Sequence, residues 1–184
     1  KRLITHSFLS MNRLFKQLIV AAVFLSSSFL TLAEIKVGSK APNFLLSDQN
    51  NIQHQLSDYE GSWVILYFYP KDDTPGCTTQ ACDFRDAVKR IIASKSTVFG
   101  VSLDSVESHK RFADKNKLPF SLLSDESGEV SKSYDSLNNF MSFKSAKRNT
   151  FIIDPEGKIS KIYLSVKPST HSQMVLNDLN QLQN

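Results

Sequence analysis

Seven residues, Trp63-Val64-Ile65-Leu66-Tyr67-Phe68-Tyr69, run without a charged or small polar residue and end on Pro70. A run of that length and composition reads as a buried strand. Pro70 stops it because proline has no N–H to give to the ladder. Thr74-Pro75-Gly76 then reads as a tight turn, and Cys77 falls at the start of a helix predicted from about Thr78 to about Ala93. Phe84, Val88, Ile91 and Ile92 form the apolar stripe of that helix. The two cysteines of the chain, Cys77 and Cys82, both lie on this strand–turn–helix unit, five residues apart.

A helix start presents unpaired backbone N–H groups and the positive end of the macrodipole, so it stabilises an anion. The thiolate is the anionic and reactive form of cysteine, and the position of Cys77 favours it. The Thr74 hydroxyl, three residues earlier, is within reach of the same sulfur or its substrate. Two readings of the cysteine pair stand at this point, a structural staple and a redox pair. Geometry argues against the staple. Residues five apart in an unbroken helix have Cα atoms ~8.7 Å apart, from a rise of ~7.5 Å and a rotation of ~140°, whereas a disulfide needs less than about 7 Å. The pair closes only if the first helical turn unwinds, which suits an intermediate better than a staple.

Around this unit the chain alternates strand and helix. Ala41 to Leu46 and Ile52 to Leu56 read as a first hairpin, and Thr97 to Ser102 as a strand buried on both faces. Asp104 or Ser105 can cap a helix reaching about Lys117, with Glu107 or Ser108 placed to answer. Phe120 to Leu123 is a short strand and Glu126 to Tyr134 a short helix. Asn149 to Ile153 and Lys158 to Leu164 form a hairpin about Asp154-Pro155-Glu156-Gly157. Thr170-x-x-Gln173 opens a last helix carrying Val175, Leu176, Leu179 and Leu182. Such alternation gives an α/β architecture.

The segment PKDDTPGCTTQACDFRD, residues 70–86, resembles the active site of the peroxiredoxins, in particular the atypical two-cysteine class called peroxiredoxin Q or bacterioferritin comigratory protein. The resemblance continues in order and spacing through Phe99 to Ser105, Leu118 to Asp125 and Arg148 to Gly157, and covers Ile35 to the C-terminus. It implies a thioredoxin-like fold, a central mixed sheet flanked by helices. It implies that Cys77 is the peroxidatic cysteine, which becomes a sulfenic acid on cutting the peroxide O–O bond, and that Cys82 is the resolving cysteine of a Cys77–Cys82 disulfide. It implies that Thr74 and Arg148 hydrogen-bond the thiolate and the peroxide, that Pro75 shields the site from water, and that Gly76 permits the close turn. A hydroperoxide substrate, a thioredoxin-like reductant and a monomeric state follow from the same resemblance. Residues 135–147 depart from the family pattern; Phe140, Met141 and Phe143 are expected there either at the substrate entrance or on the core.

The first thirty-three residues read differently. From Met11, the expected start, a basic stretch (Arg13, Lys16) precedes an apolar run from Leu18 to Leu25 and a Ser-rich end at Thr31-Leu32-Ala33. This is the pattern of a cleavable bacterial secretory signal. It predicts export, a periplasmic location and no stable membrane association once the signal is removed. The competing reading is an uncleaved anchor, but the apolar run is short and serine-interrupted where a spanning helix needs about 20 apolar residues. Residues 34–184 are then expected to form one domain. The signal also carries the charge. The chain has 22 Lys+Arg and 18 Asp+Glu, and removing Lys1, Arg2, Arg13 and Lys16 leaves 18 against 18. No basic, aromatic-interleaved patch remains, which argues against nucleic acid.

His6, His54, His109 and His171 are scattered and lack metal-ligand spacing, and two cysteines alone cannot build a zinc site. No metal or cofactor is expected. The pairs Asp72-Asp73 and Asp125-Glu126 read as solvated loop and cap residues. Two other classes remain for comparison: a general thiol–disulfide exchanger, which would want a C-x-x-C pair, and a non-enzymatic domain held by a permanent disulfide.

Overall fold

The computed structural model describes residues 34–141 and 143–184. The export signal expected from Met11 to Ala33 lies outside these residues. Among the described residues nine strands and four helices occur: β1 (Leu45–Asp48), β2 (Gln53–Gln55), β3 (Trp63–Phe68), α1 (Pro75–Ala93), β4 (Ser96–Ser102), α2 (Val106–Asn116), β5 (Ser121–Ser124), α3 (Glu129–Ser133), β6 (Leu137–Phe140), β7 (Phe143–Ala146), β8 (Thr150–Ile153), β9 (Ile159–Tyr163) and α4 (His171–Leu182).

The apolar run that ends at Pro70 is an inner strand of a seven-stranded mixed sheet of order β2-β1-β5-β4-β3-β8-β9. β3 runs parallel to β4, with Leu66 opposite Phe99, and antiparallel to β8, with Leu66 opposite Phe151. Both faces of β3 are covered, which is why the run is continuous rather than alternating. Ile65, Tyr67 and Tyr69 face a core with Phe84 and Ile91 of α1, Phe112 of α2, and Val175 and Leu179 of α4. Val64, Leu66 and Phe68 face a second core with Phe44, Tyr134, Phe151 and Ile159. Gly100 lets the first core close. A Cβ there would lie 2.6 Å from the Tyr67 hydroxyl and 2.8 Å from Leu122 Cδ2, so no larger residue fits opposite Tyr67.

α1 begins at Pro75, three residues earlier than the sequence pattern suggests. Proline is well suited to the first helical position because its missing N–H would be unpaired there anyway. Cys77 is therefore the third helical residue. The buried face of α1 is Cys77, Gln80, Ala81, Phe84, Ala87 and Ile91, while Ile92 is 65% exposed and does not belong to the stripe. It follows Ile91 directly and so points about 100° away. The last helix differs too. Thr170 makes no side-chain cap; the Ser172 N–H instead donates to Asp83 Oδ2 of α1 at 2.7 Å. Tertiary packing supplies the acceptor that a local Thr170/Gln173 box was expected to give.

The segment 135–147 is a two-stranded hairpin, β6 against β7, with Leu137 opposite Ala146. Phe140, Met141 and Phe143 are 74%, 87% and 85% exposed, so they do not pack on the core. No helix among the described residues is long and apolar enough to cross a membrane.

Candidate active site

Thr74 precedes α1 with extended backbone, and the Thr78 N–H makes the helix's first turn by donating to its carbonyl at 2.9 Å. The N–H groups of Gly76 and Cys77 therefore have no intrahelical acceptor and face the start of the helix. Cys77 is buried, 1% exposed, and Cys82 is half-buried five residues on; both are free thiols. Both lie within the unbroken helix, so a bond between them requires the first turn to open.

Arg148 lies two residues before β8. Its backbone is fixed by the Val166 N–H, which donates to its carbonyl at 3.0 Å. Its guanidinium spans two groups of α1: Nη2 donates to Cys77 Sγ at 3.3 Å and Nη1 donates to Gln80 Oε1 at 2.7 Å. Gly76 makes room for this approach. A Cβ at Gly76 would sit 3.2 Å from Arg148 Nη2 and 3.6 Å from Pro168 Cγ. Gly76 lies inside the first helical turn, so what it supplies is space for the arginine rather than a tight-turn conformation. Pro75 is exposed beside it. The Thr74 hydroxyl donates to the Lys71 carbonyl at 3.0 Å, so in this structure its proton is engaged by the loop backbone.

Gln80 was not singled out by sequence. It is fully buried, and its Nε2 has no partner among the described residues. Its signal is present in retrospect: a polar residue three positions after Cys77, on the apolar face of an amphipathic helix. The Tyr67 hydroxyl is likewise buried without a partner, and burial, followed by the nearby Cys77, pushes its ionisation well above the ordinary tyrosine range. Tyr67 is therefore a neutral wall of the site, stacked on Phe84 with ring centroids 4.8 Å apart.

Two acidic residues read as solvated are in fact buried. Asp125 is 1% exposed and accepts from the Val130 and Ser131 N–H groups at the start of α3. Asp72 is 5% exposed; it accepts from Tyr69 Oη at 2.7 Å, Ser108 Oγ at 2.8 Å and His109 Nδ1 at 2.9 Å. Burial alone would push the Asp72 carboxyl up, but its bonds to His109, Tyr69 and Ser108 together hold it below the usual carboxylate range. Among the described residues no group of three or more His, Cys, Asp or Glu is placed to hold a metal.

His171 borders the site, fully buried between Phe84 and Tyr163, with Nε2 2.9 Å from Thr150 Oγ1. Burial lowers its pKa to about 4; Asp83 opposes this and Arg148 adds to it. The folded state therefore holds a neutral ring, while the unfolded chain takes up the proton near the ordinary value of about 6.5. Stability from this group is present above pH ~6.5 and is lost as pH falls toward 4. Urea unfolding of the wild type should lose ~2 kcal/mol more between pH 7 and pH 4.5 than His171→Gln does. Equal acid losses in the two proteins would show that His171 is not the group taking up the proton.

Comparison with known proteins identifies the family. Residues 37–162 match the AhpC/TSA family. Peroxiredoxin Bcp of Bacillus subtilis is 40% identical over 152 residues, which cover 80% of this chain and 97% of that protein. The crystal structure of a cysteine-to-serine mutant of PrxQ from Xylella fastidiosa superposes with a TM-score of 0.78 at 32% identity, over 83% of this chain and 99% of that one. A structure of the bacterioferritin comigratory protein of Xanthomonas campestris, described for its alkyl peroxide reduction activity, superposes with a TM-score of 0.73 at 32% identity, over 77% of this chain and 92% of that one. The match runs along nearly the whole length of named peroxidases on a thioredoxin-like sheet, and the chain belongs to the AhpC/TSA family as a thiol peroxidase of the Bcp/peroxiredoxin Q class.

Proposed function

We propose that Cys77 is the peroxidatic cysteine, Cys82 the resolving cysteine, and Arg148 the group that meets the peroxide. The observation that carries this is the 3.3 Å contact from Arg148 Nη2 to Cys77 Sγ at the start of α1. The Cys77 thiolate attacks one peroxide oxygen, an S–O bond forms as the O–O bond breaks, and the leaving oxygen takes up a proton as water or an alcohol. The product is a sulfenic acid on Cys77. Developing charge on the leaving oxygen is met by the guanidinium and by the free N–H groups of Gly76 and Cys77, donors fixed before the reaction begins. Thr74 and Pro75 shape the mouth of this site. The first turn of α1 then opens, the Cys82 sulfur displaces the sulfenic oxygen, and water leaves as the Cys77–Cys82 disulfide forms.

The substrates in this reading are hydrogen peroxide and organic hydroperoxides, and a thioredoxin-like dithiol returns the disulfide to two thiols. An intramolecular resolving cysteine needs no second subunit, which supports a monomer. Export to the periplasm rests on the signal-like sequence from Met11 alone, and it calls for a reductant on the same side of the membrane.

One equivalent of hydrogen peroxide added to the reduced protein should remove two hydrogens from its mass and yield a peptide linked through Cys77 and Cys82. The Cys82→Ser protein should instead gain one oxygen and become labelled by a sulfenic-acid trap at Cys77. A wild-type protein that keeps both thiols while consuming peroxide would overturn the assignment.

A further inference from the structure

The loop that delivers Cys77 is tied to a part of the molecule that the redox chemistry does not use. Between β3 and α1, Asp72 turns inward rather than toward water, and Asp73 takes up a left-handed backbone, φ +57°, which aspartate tolerates better than most residues. The tie is the Asp72 carboxylate. It accepts from three side chains, Tyr69 at the end of the strand and Ser108 and His109 on the first turn of α2. The Asp72 N–H donates to Asp104 Oδ2 at 2.9 Å, and that same oxygen accepts from Ser102 Oγ at 2.7 Å. His109 is fully buried, and its other nitrogen lies 3.2 Å from the Leu123 carbonyl of β5. The chain of contacts runs from the active-site loop through α2 into the sheet. A further tie, Lys115 Nζ to Asp73 Oδ1 at 2.7 Å, is exposed and so contributes little.

We propose that the buried Asp72–His109 pair, with Ser108 and Tyr69, is the anchor that holds the start of α1 in its peroxide-reactive form, so that Asp72 and His109 are positioning residues of the peroxidase. The inference rests on the reading of Cys77 and Cys82 above. Asp72 is two residues before Thr74 and five before Cys77. Anything that pins Asp72 fixes where the helix begins and hence where the sulfur meets Arg148. The same helix start has to open for Cys82 to reach Cys77, since the two lie in one continuous helix. The anchor acts on α2 and β5, which lie outside the turn that opens. It therefore biases the balance toward the closed, reactive arrangement without blocking the opening. The loop is otherwise poor in restraints: Thr74 makes no cap to α1, and Lys71 and Pro75 are exposed.

An anchor of this kind has a kinetic signature that a merely structural role lacks. Loosening it must slow the step that needs the closed helix and speed the step that needs the open one. Rapid-quench thiol trapping measures both: the second-order oxidation of Cys77 by hydrogen peroxide, and the peroxide-independent closure of the disulfide. Asp72→Asn and His109→Ala should slow the first ~10-fold and speed the second ~10-fold, the scale of losing one charge-assisted hydrogen bond. Removing one member of a buried hydrogen-bonded pair leaves its partner unsatisfied and is destabilising, so Ser108→Ala, which deletes only one donor, is measured alongside. It should shift both rates in the same directions by ~3-fold, about half of that effect on a logarithmic scale. Both rates unchanged, or both slowed together, with only the urea midpoint lowered, would overturn the inference while leaving the cysteine assignment intact. A wild-type protein in which Cys77 is never oxidised would overturn that assignment and this inference with it.

Discussion

Cys77→Ser should reduce peroxide no faster than a protein without a nucleophile, a fall on the order of 10⁶-fold, the loss seen when a covalent catalyst's nucleophile is removed. The fold should survive. Serine is close to cysteine in shape, and among the described residues the Cys77 sulfur has one side-chain donor, Arg148 Nη2, which a hydroxyl oxygen can satisfy. What vanishes is the sulfur nucleophile. A hydroxyl at the same place stays protonated, and nothing in the site acts as a base toward it: Arg148 and the helix N–H groups are donors, and the Gln80 oxygen is taken by Arg148. Cys82→Ser should behave oppositely. It leaves Sγ of Cys77, Arg148 and the helix start untouched, so the first turnover should proceed at the wild-type rate. Turnover then stops at the sulfenic acid when the reductant acts only on a disulfide. The pair of measurements, single-turnover peroxide consumption and steady-state turnover with a dithiol reductant, separates the two roles. A Cys77→Ser protein retaining even a hundredth of the single-turnover rate would mean that another group does the chemistry.

The parts of this mechanism that sequence made legible are those written in local order. Trp63 to Tyr69 shows itself as a buried strand because every residue of it must find an apolar neighbour on one face or the other. Pro70 marks where that strand ends, whereas Pro75, read as part of a turn, is already the first residue of α1. The cysteine spacing already says that the helix must open, because five residues of helix are too long for a disulfide. What sequence did not make legible depends on partners far along the chain. Asp72 reads as a solvated loop carboxylate until His109 and Ser108, 37 and 36 residues later, are seen to close over it. Gln80 reads as one more helix residue until Arg148, 68 residues away, turns its guanidinium onto it. Thr170 looks like a helix cap, yet Asp83, 89 residues before Ser172, makes that contact. The hairpin of β6 and β7 is weakly encoded because most of its side chains face solvent, with only Ala146 buried at its base, so no alternation of buried and exposed residues marks it. Arg148 lies between these cases. Its bottom-up pattern is that of a surface charge, and only the family resemblance raised it to a site residue.

Arg148 is therefore the residue whose replacement tests the electrostatic half of the mechanism. Arg148→Ala should slow Cys77 oxidation by hydrogen peroxide ~10²–10³-fold, the effect of deleting one preorganised donor that meets developing charge. Arg148→Lys should recover about one order of magnitude of this and no more. An ammonium keeps the positive charge but is a single point, and it cannot span Cys77 Sγ and Gln80 Oε1 as the planar fork does. Gln80→Ala removes the second arm of that fork while leaving the charge in place. It should slow oxidation ~10-fold, a cost of positioning rather than of charge. The order wild type, Gln80→Ala, Arg148→Lys, Arg148→Ala follows from the geometry alone, and second-order rate constants at one pH establish it. A different order has a definite meaning. If Arg148→Lys matched the wild type, the charge would suffice and the fork would be incidental. If Arg148→Ala stayed within about threefold of it, the helix N–H groups of Gly76 and Cys77 would carry the leaving oxygen by themselves. The bond from Nη1 to a fully buried amide speaks for the fork, since such a partner fixes one plane and one reach for the guanidinium, and that reach ends on the sulfur.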